Sequence, residues 1–257
     1  MMQALVRAEL VKLVTTRAFG NLVLGAVAVT ALGAFSTIVT ARIESLEGNV
    51  HEQSFFMLAS GDLALFAVVL GILGVTEEFH CGSIVPTLLV TPDRARVVAA
   101  KALTLAGAGA ALAFVALGAM VFVADLFLTA RGAWPSPLSV GGVELFGTAD
   151  LPAVGGMIVA SALWAAIGVA LGAIVRHQVA AIAGAAVWLL VVENLGAALV
   201  GEAIRYLPGQ AAHGLALAPH AGVRLAPTAA AAVLVAYAVV VNVAAAISLS
   251  HADIAAA

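Results

Sequence analysis

Six long apolar runs constrain this chain more than any other feature. They are Phe19–Ala41, Leu58–Val75, Val98–Ala124, Leu151–Val175, Ala180–Glu202 and Pro227–Leu249. A helix climbs about 1.5 Å per residue, so a hydrocarbon layer of about 30 Å takes roughly 20 apolar residues. A segment in lipid finds no water for its backbone, so each run is expected to be a helix that crosses a membrane. Composition agrees: 63% of the 257 residues are hydrophobic and only 10% are charged. A soluble domain carries about 25% charged residues. A water-soluble fold built from this chain would lack polar side chains to cover its surface. The expected fold class is all-α: a polytopic membrane protein with six transmembrane helices in one domain, residues 1–257.

Orientation follows the bias of Lys and Arg toward the cytoplasm. Six crossings put both termini on one side. With that side inward, Arg7, Lys12, Arg17, Arg94, Arg96, Lys101 and Arg176 are cytoplasmic. Only Arg42, Arg131, Arg205 and Arg224 lie outside, together with the acids Glu44, Glu47, Glu52, Glu144, Asp150 and Glu202. The expected location is the plasma membrane, with both termini cytoplasmic. A charged prefix runs to Arg17 before an apolar run longer than a signal-peptide core, so an uncleaved first span is expected. The prefix itself, residues 1–18, is helix-prone and only moderately amphipathic. It reads either as a helix along the inner surface or as a plain charged flank.

The net charge of −3 gives no hint of nucleic acid, and one cysteine, Cys81, allows no disulfide within the chain. Catalytic constellations are missing. No Gly-Lys pair exists, so there is no P-loop, and GxSxG and HExxH are absent too. His80-Cys81 lacks a second ligand pair for zinc, and His213 and His220 stand seven residues apart in an outer segment. Asp62 and Asp125 fall near the outer ends of the second and third spans, where solvated acids are ordinary. Glu193, beside Asn194, is the one acid well inside a span. It reads equally as a pathway-lining carboxylate or as one hydrogen-bonded inside the bundle. Gly107, Gly109 and Ala111, the Gly168-x-x-x-Gly172 pair and Gly184 are small residues of the kind that let helix backbones approach, within a chain or between copies. Residues 203–226 are too apolar for a loop and too broken by Pro208, Gly209, Pro219 and Gly222 for a span. Short helices in the outer leaflet fit them.

The densest charge lies in VTEEFHCGSIVPTLLVTPDRARVVAAK, Val75–Lys101, between the second and third spans. It opens with Glu77 and Glu78, has an apolar centre interrupted by Pro86, and closes with Arg94, Arg96 and Lys101. Thr91, preceding Pro92, is biased away from helix. A short amphipathic helix at about Cys81–Val90 is expected to end there. An exposed apolar face of that kind needs a partner or the headgroup layer. The plainer reading is a basic loop that only sets topology.

Here the chain resembles the ABC-2 type transporter permeases. In them the turn after the second span reads Glu-aromatic-x-x-Gly-Thr/Ser, an apolar run, Pro-x-Arg, then Lys. Glu78, Phe79, Gly82, Ser83, Pro92, Arg94 and Lys101 occupy those places. AELVKLVTTR before the first span, RHQVAAIAG at 176–184 and RYLPG at 205–209 are also similar to an actinobacterial-type branch. His80 stands where Arg is common, and Ser83 where Thr is common. The resemblance implies an ABC-2 (type V exporter-like) permease fold. Residues 1–18 would be an elbow helix, 77–97 a cytoplasmic coupling region and 203–226 outer re-entrant helices. It also implies separate ABC ATPase subunits, which would carry ATP and Mg, and a second permease subunit, identical or paralogous. This chain would bind no cofactor and would not be an enzyme. Glu77, Glu78, Phe79, Gly82 and Ser83 would face the ATPase. Pro92, Arg94 and Lys101 would fix the turn and membrane boundary or touch the partner, and Glu193 and Asn194 would be pathway candidates. The cargo would be lipophilic: a drug, a peptide antibiotic or a lipid. A scaffold or immunity protein that binds a partner without transport, and an ion-coupled transporter, are the alternatives. Against the last, the spans hold no chain of buried acids.

Overall fold

The computed structural model describes residues 2–40, 49–82, 93–130, 139–140, 143–144, 151–199, 201–216 and 225–251. Nearly all of these are helical. The helices are α1 (Met2–Thr15), α2 (Arg17–Thr40), α3 (Asn49–His80), α4 (Arg94–Ala130), α5 (Leu151–Val175), α6 (Gln178–Val187), α7 (Glu193–Leu199), α8 (Pro208–Leu215) and α9 (Pro227–Ser250). A π-helical turn, Trp188–Val192, joins α6 to α7, and a 3-10 segment, Gly201–Tyr206, precedes α8. Ser139–Val140 (β1) pairs antiparallel with Val143–Glu144 (β2) between α4 and α5. Five described helices are long and apolar enough to cross a membrane: Arg17–Ser36, Gly61–His80, Arg94–Val123, Leu151–Val175 and Pro227–Ser250. The other apolar run, from Gln178, is a shorter helix interrupted by the π turn.

The helices outrun the apolar stretches that announce them. The second run ends at Val75, yet α3 stays helical to His80 and carries Glu77 and Glu78 in its last turns. The third begins at Val98, yet α4 starts at Arg94, behind Asp93. The Asp93 Oδ1 accepts from the Arg96 N–H at 3.1 Å, which satisfies one of the free donors of a helix start. Of the amphipathic helix expected at Cys81–Val90, Cys81 and Gly82 form the turn that ends α3, and 83–90, Ser83 included, lie outside the described residues. So do Pro92 and 217–224 of the outer segment.

Helix α5 is the centre of the bundle and packs against α3, α4 and α9. Its contact with α3 is backbone on backbone. A Cβ on Gly168 would overlap the Val68 carbonyl, and one on Gly71 would overlap the Ala165 carbonyl. The Gly168–Gly172 spacing therefore serves the fold, since Gly172 also lies against Ile72. Gly109 of α4 meets Ser161 of α5 in the same way, whereas Gly107 and Gly184 have no such neighbour. Lipid-facing spans gain nothing from apolar burial against one another, so close approach and van der Waals contact must hold them. One polar contact adds to it: the Asn242 Nδ2 of α9 donates to the Ala166 carbonyl of α5 at 3.0 Å.

Contacts also fix which helix ends lie together. Arg176, just past α5, and Arg94, at the start of α4, both reach the last turn of α9. At the opposite end, α8 lies against the start of α5 through Leu215 and Gly156, and against the start of α9 through Gly214 and Ala230. The chain from Gln178 to Pro208 thus runs from one end of the bundle to the other.

The α3–α5 contact makes a stability prediction. Gly168→Ala inserts a methyl against backbone that cannot yield and should cost about 1–3 kcal/mol. Gly107→Ala has open space and removes a helix-interior glycine, so it should be neutral or slightly stabilising. Thermal unfolding in detergent separates them, and equal midpoints would mean that the glycine contact is unimportant.

Candidate functional site

The charged stretch builds a junction where α1, α3 and α4 meet. Glu78 Oε1 accepts from Lys12 Nζ at 2.8 Å and from Lys101 Nζ at 2.7 Å. Lys101 Nζ also donates to Glu9 Oε2 at 2.8 Å, and Lys12 Nζ to Glu9 Oε1 at 3.1 Å. Each ammonium therefore touches both carboxylates, and the four groups close a ring of alternating charge. Glu9 and Lys12 come from α1, Glu78 from α3 and Lys101 from α4. The Lys101 side chain is 3% exposed and that of Glu78 8%, while Lys12 is 47% exposed. Lys12 and Lys101 are also the only lysines in the chain.

Electrostatics explains why the ring is closed. A buried ion is stable only when paired and hydrogen-bonded, because removing it from water costs several kcal/mol. Two cations between two anions leave the junction formally neutral. Burial works against the charge of Lys12, but the hydrogen bond and charge of Glu78, with those of Glu9, outweigh it and raise its pKa above the ordinary 10.5. A raised lysine pKa contributes stability that is complete below the ordinary value and fades only as pH climbs through the folded one. Lys12 therefore stays charged across the neutral range.

Helix α3 stops just beyond Glu78. The Cys81 N–H bonds to the Glu77 carbonyl at 2.9 Å, and Gly82 follows with φ +68°. That left-handed conformation ends the helix and suits glycine because it has no Cβ. Phe79 is half-buried against the core, and His80, Cys81 and Gly82 are exposed. Glu77 is half-buried. On the far side of residues 83–92, Arg94 Nη1 bonds to the Leu249 carbonyl. Arg176, at φ +58°, sends Nη2 to the Ser248 carbonyl at 3.1 Å and Oγ at 3.3 Å. Two arginines thus serve the free carbonyls at the end of α9, where positive charge is favoured.

Glu193 sits at the other end of the bundle and is 3% exposed. In the π turn the Glu193 N–H bonds to the Trp188 carbonyl, five residues back, and this wide turn stacks the two side chains. Trp188 Nε1 donates to Glu193 Oε1 at 3.0 Å, and the Gly209 N–H donates to the same oxygen at 2.8 Å. Gly209 is near the start of α8, behind Pro208, so the carboxylate satisfies a buried donor that the helix itself leaves free. A Cβ on residue 209 would overlap the carboxylate, which accounts for the glycine. The Asn194 side chain lies outside the described residues. Among the described residues no group of three or more His, Cys, Asp or Glu could hold a metal.

Of the residues singled out from sequence, Glu78 and Lys101 are joined directly and Arg94 reaches the end of α9 nearby. Glu193 is remote from all three. Glu9, Lys12, Arg176 and Asn242 were not singled out, although all four make inter-helix contacts. The two-lysine count was the available signal for Lys12. No protein-family model matches the chain, and no curated protein matches it.

The ring predicts non-additive mutations. Lys101→Met strands the buried Glu78 and half-buried Glu9 carboxylates on one ammonium and should cost about 3–5 kcal/mol. Adding Glu78→Met removes the stranded charge and should recover most of that loss, as read from unfolding midpoints. Equal loss in single and double variants would deny the coupling. At the other end, Glu193→Leu leaves the Gly209 N–H without its acceptor and should cost about 1–3 kcal/mol. Glu193→Gln keeps an acceptor oxygen and should lose less. Equal losses for Leu and Gln in the same assay would dismiss the cap.

Proposed function

We propose that this chain is the membrane-spanning subunit of an ATP-driven exporter of the ABC-2 permease type. It would cross the plasma membrane six times, with both termini in the cytoplasm. The end-to-end path from Gln178 to Pro208 supports the sixth crossing. Hydrolysis would occur on separate ABC ATPase subunits, with ATP and Mg bound there, and a second permease subunit would complete the pathway.

One observation carries the coupling role: the charge ring clamps the two sides of residues 83–92 to each other. Glu78 precedes the segment, Lys101 follows it, and the two are bonded at 2.7 Å. Through Glu9 and Lys12 the same ring holds α1. A partner pushing on the segment would therefore move α1, α3 and α4 together. Glu78 and Lys101 act, on this proposal, as the mount of the coupling element, and the exposed His80–Gly82 turn as part of its contact surface. Glu193 acts as a latch between the fifth crossing and α8. A lipophilic cargo is supported by an apolar cavity of about 320 Å³ among α5, α6 and α9, with Trp164, Leu171, Gly184, Trp188 and Tyr237 in its walls.

The test is co-purification of this chain with a P-loop ATPase from its own gene neighbourhood, followed by hydrolysis assays in lipid. Hydrolysis should depend on the permease. Gly82→Trp places bulk on an exposed turn in a conformation that resists a side chain, and it should lower coupled hydrolysis about tenfold or abolish complex formation. Gly107→Ala should leave it unchanged. A chain that forms no complex, or a complex whose hydrolysis ignores Gly82→Trp, would return the stretch to a topology signal and favour the scaffold.

A further inference from the structure

Beside the ring lies a cavity of about 190 Å³ whose walls include Glu9, Lys12, Leu13, Glu77, Glu78 and Cys81. The ring is neutral by itself, so Glu77 leaves the cavity one negative charge in excess. Glu77 makes no ion pair among the described residues. Glu78 is 7% exposed, and its second oxygen, Oε2, is buried without a hydrogen-bond partner among the described residues. Such an acceptor costs free energy until a donor reaches it. Lys12 has three N–H donors, two of them engaged by Glu9 and Glu78, and its side chain is half in solvent. The cavity thus offers carboxylates to a cation and one ammonium donor to an anion. Leu13, Gly74 and Leu105, with the threonines Thr16 and Thr104, make the rest of its wall.

We propose that this cavity binds the headgroup of a phosphatidylethanolamine-type lipid of the inner leaflet. The primary ammonium would sit at Glu77 and Glu78, supplying N–H donors to the unpartnered Oε2. The phosphate would face Lys12. A volume of this size admits the headgroup and leaves the acyl chains outside, where Leu10, Val11 and Leu103 are exposed on α1 and α4. A quaternary choline has no N–H to give, so phosphatidylcholine is excluded on chemistry rather than size. The inference rests on the orientation that puts α1 at the cytoplasmic surface.

Cys81 is the only cysteine, is exposed and lines the cavity, so it reports both points. In sealed right-side-out vesicles, an impermeant maleimide should label it only after permeabilisation. Labelling from outside would overturn the orientation. In nanodiscs of the full chain, labelling should slow about fivefold or more when phosphatidylethanolamine replaces part of the phosphatidylcholine, and not with phosphatidylglycerol. Lipid retained on the purified protein, read by mass spectrometry, should show the same preference. Glu77→Gln, at a half-buried position outside the ring, should reduce that retention about tenfold and restore the labelling rate. Soluble phosphoethanolamine should protect Cys81 weakly. Protection by it equal to that of the lipid would mean a free-amine site and overturn the lipid. Cytoplasmic labelling with no dependence on phosphatidylethanolamine would overturn the headgroup site while leaving the orientation intact.

Discussion

Two carboxylates and two ammonium groups, closed into a ring, decide how the end of this bundle where α1, α3 and α4 meet can be built. In a chain with 10% charged residues, the only two lysines are both committed to that ring. None of its members could be buried alone, because an unpaired ion in a low-dielectric interior costs more than the fold can absorb. The ring therefore works as an all-or-none register. Helix α1 must present Glu9 and Lys12 at the level where α3 offers Glu78 and α4 offers Lys101. Apolar surfaces alone would tolerate sliding of one helix along another, but a four-point charge match does not. Its contribution lies in specifying one arrangement more than in net stability, as expected of a buried ion network with large desolvation costs.

The rest of the bundle follows a complementary rule. Between its ends, α3, α4 and α5 are joined by bare backbone at Gly71, Gly109, Gly168 and Gly172, with Asn242 adding one hydrogen bond from α9. Among the described residues the charged contacts between helices lie at the ends: the ring and two arginines at one, Glu193 over α8 at the other. This division follows from the solvent. Middle segments have lipid around them and can only pack closely, whereas the ends hold free backbone donors and carbonyls that a side chain must satisfy. Arg94 and Arg176 satisfy carbonyls of α9, and Glu193 satisfies a donor of α8.

Five of the six apolar runs are helices long enough to span, and they were legible because length and apolarity are what a spanning helix needs. The sequence also made Gly168 and Gly172 legible as a close-approach pair. It did not distinguish them from Gly184, which has open space, because that depends on which face a neighbour takes. The charged stretch was legible as a concentration of unusual residues, but its partners were not. Glu78 finds Lys12 across 66 positions and Lys101 finds Glu9 across 92, distances over which no local pattern operates. Helix ends were misjudged because hydropathy falls at Glu77 while the α3 backbone continues to His80. The π turn was invisible, since Trp188–Val192 reads as ordinary apolar helix. Only the carboxylate at Glu193 hinted that something there needed a partner.

The arrangement also limits how a force on residues 83–92 could be used. The ring locks the flanks of that segment and α1 into one unit, and the glycine contacts lock α3 and α4 to α5. Packed cores of this kind switch between discrete arrangements and do not deform continuously. A push would thus reach α5 almost without internal strain, and through Arg94 and Arg176 it would reach the end of α9. Little compliance is left inside the core α3–α5, so on the proposed function the working movement belongs at its margins: against a second subunit, or where the π turn lets the fifth crossing bend beside α8. ATP binding could favour that movement only if the two states differ in contacts at those margins. The ring would be common to both states, and its role would be to deliver the displacement undiminished.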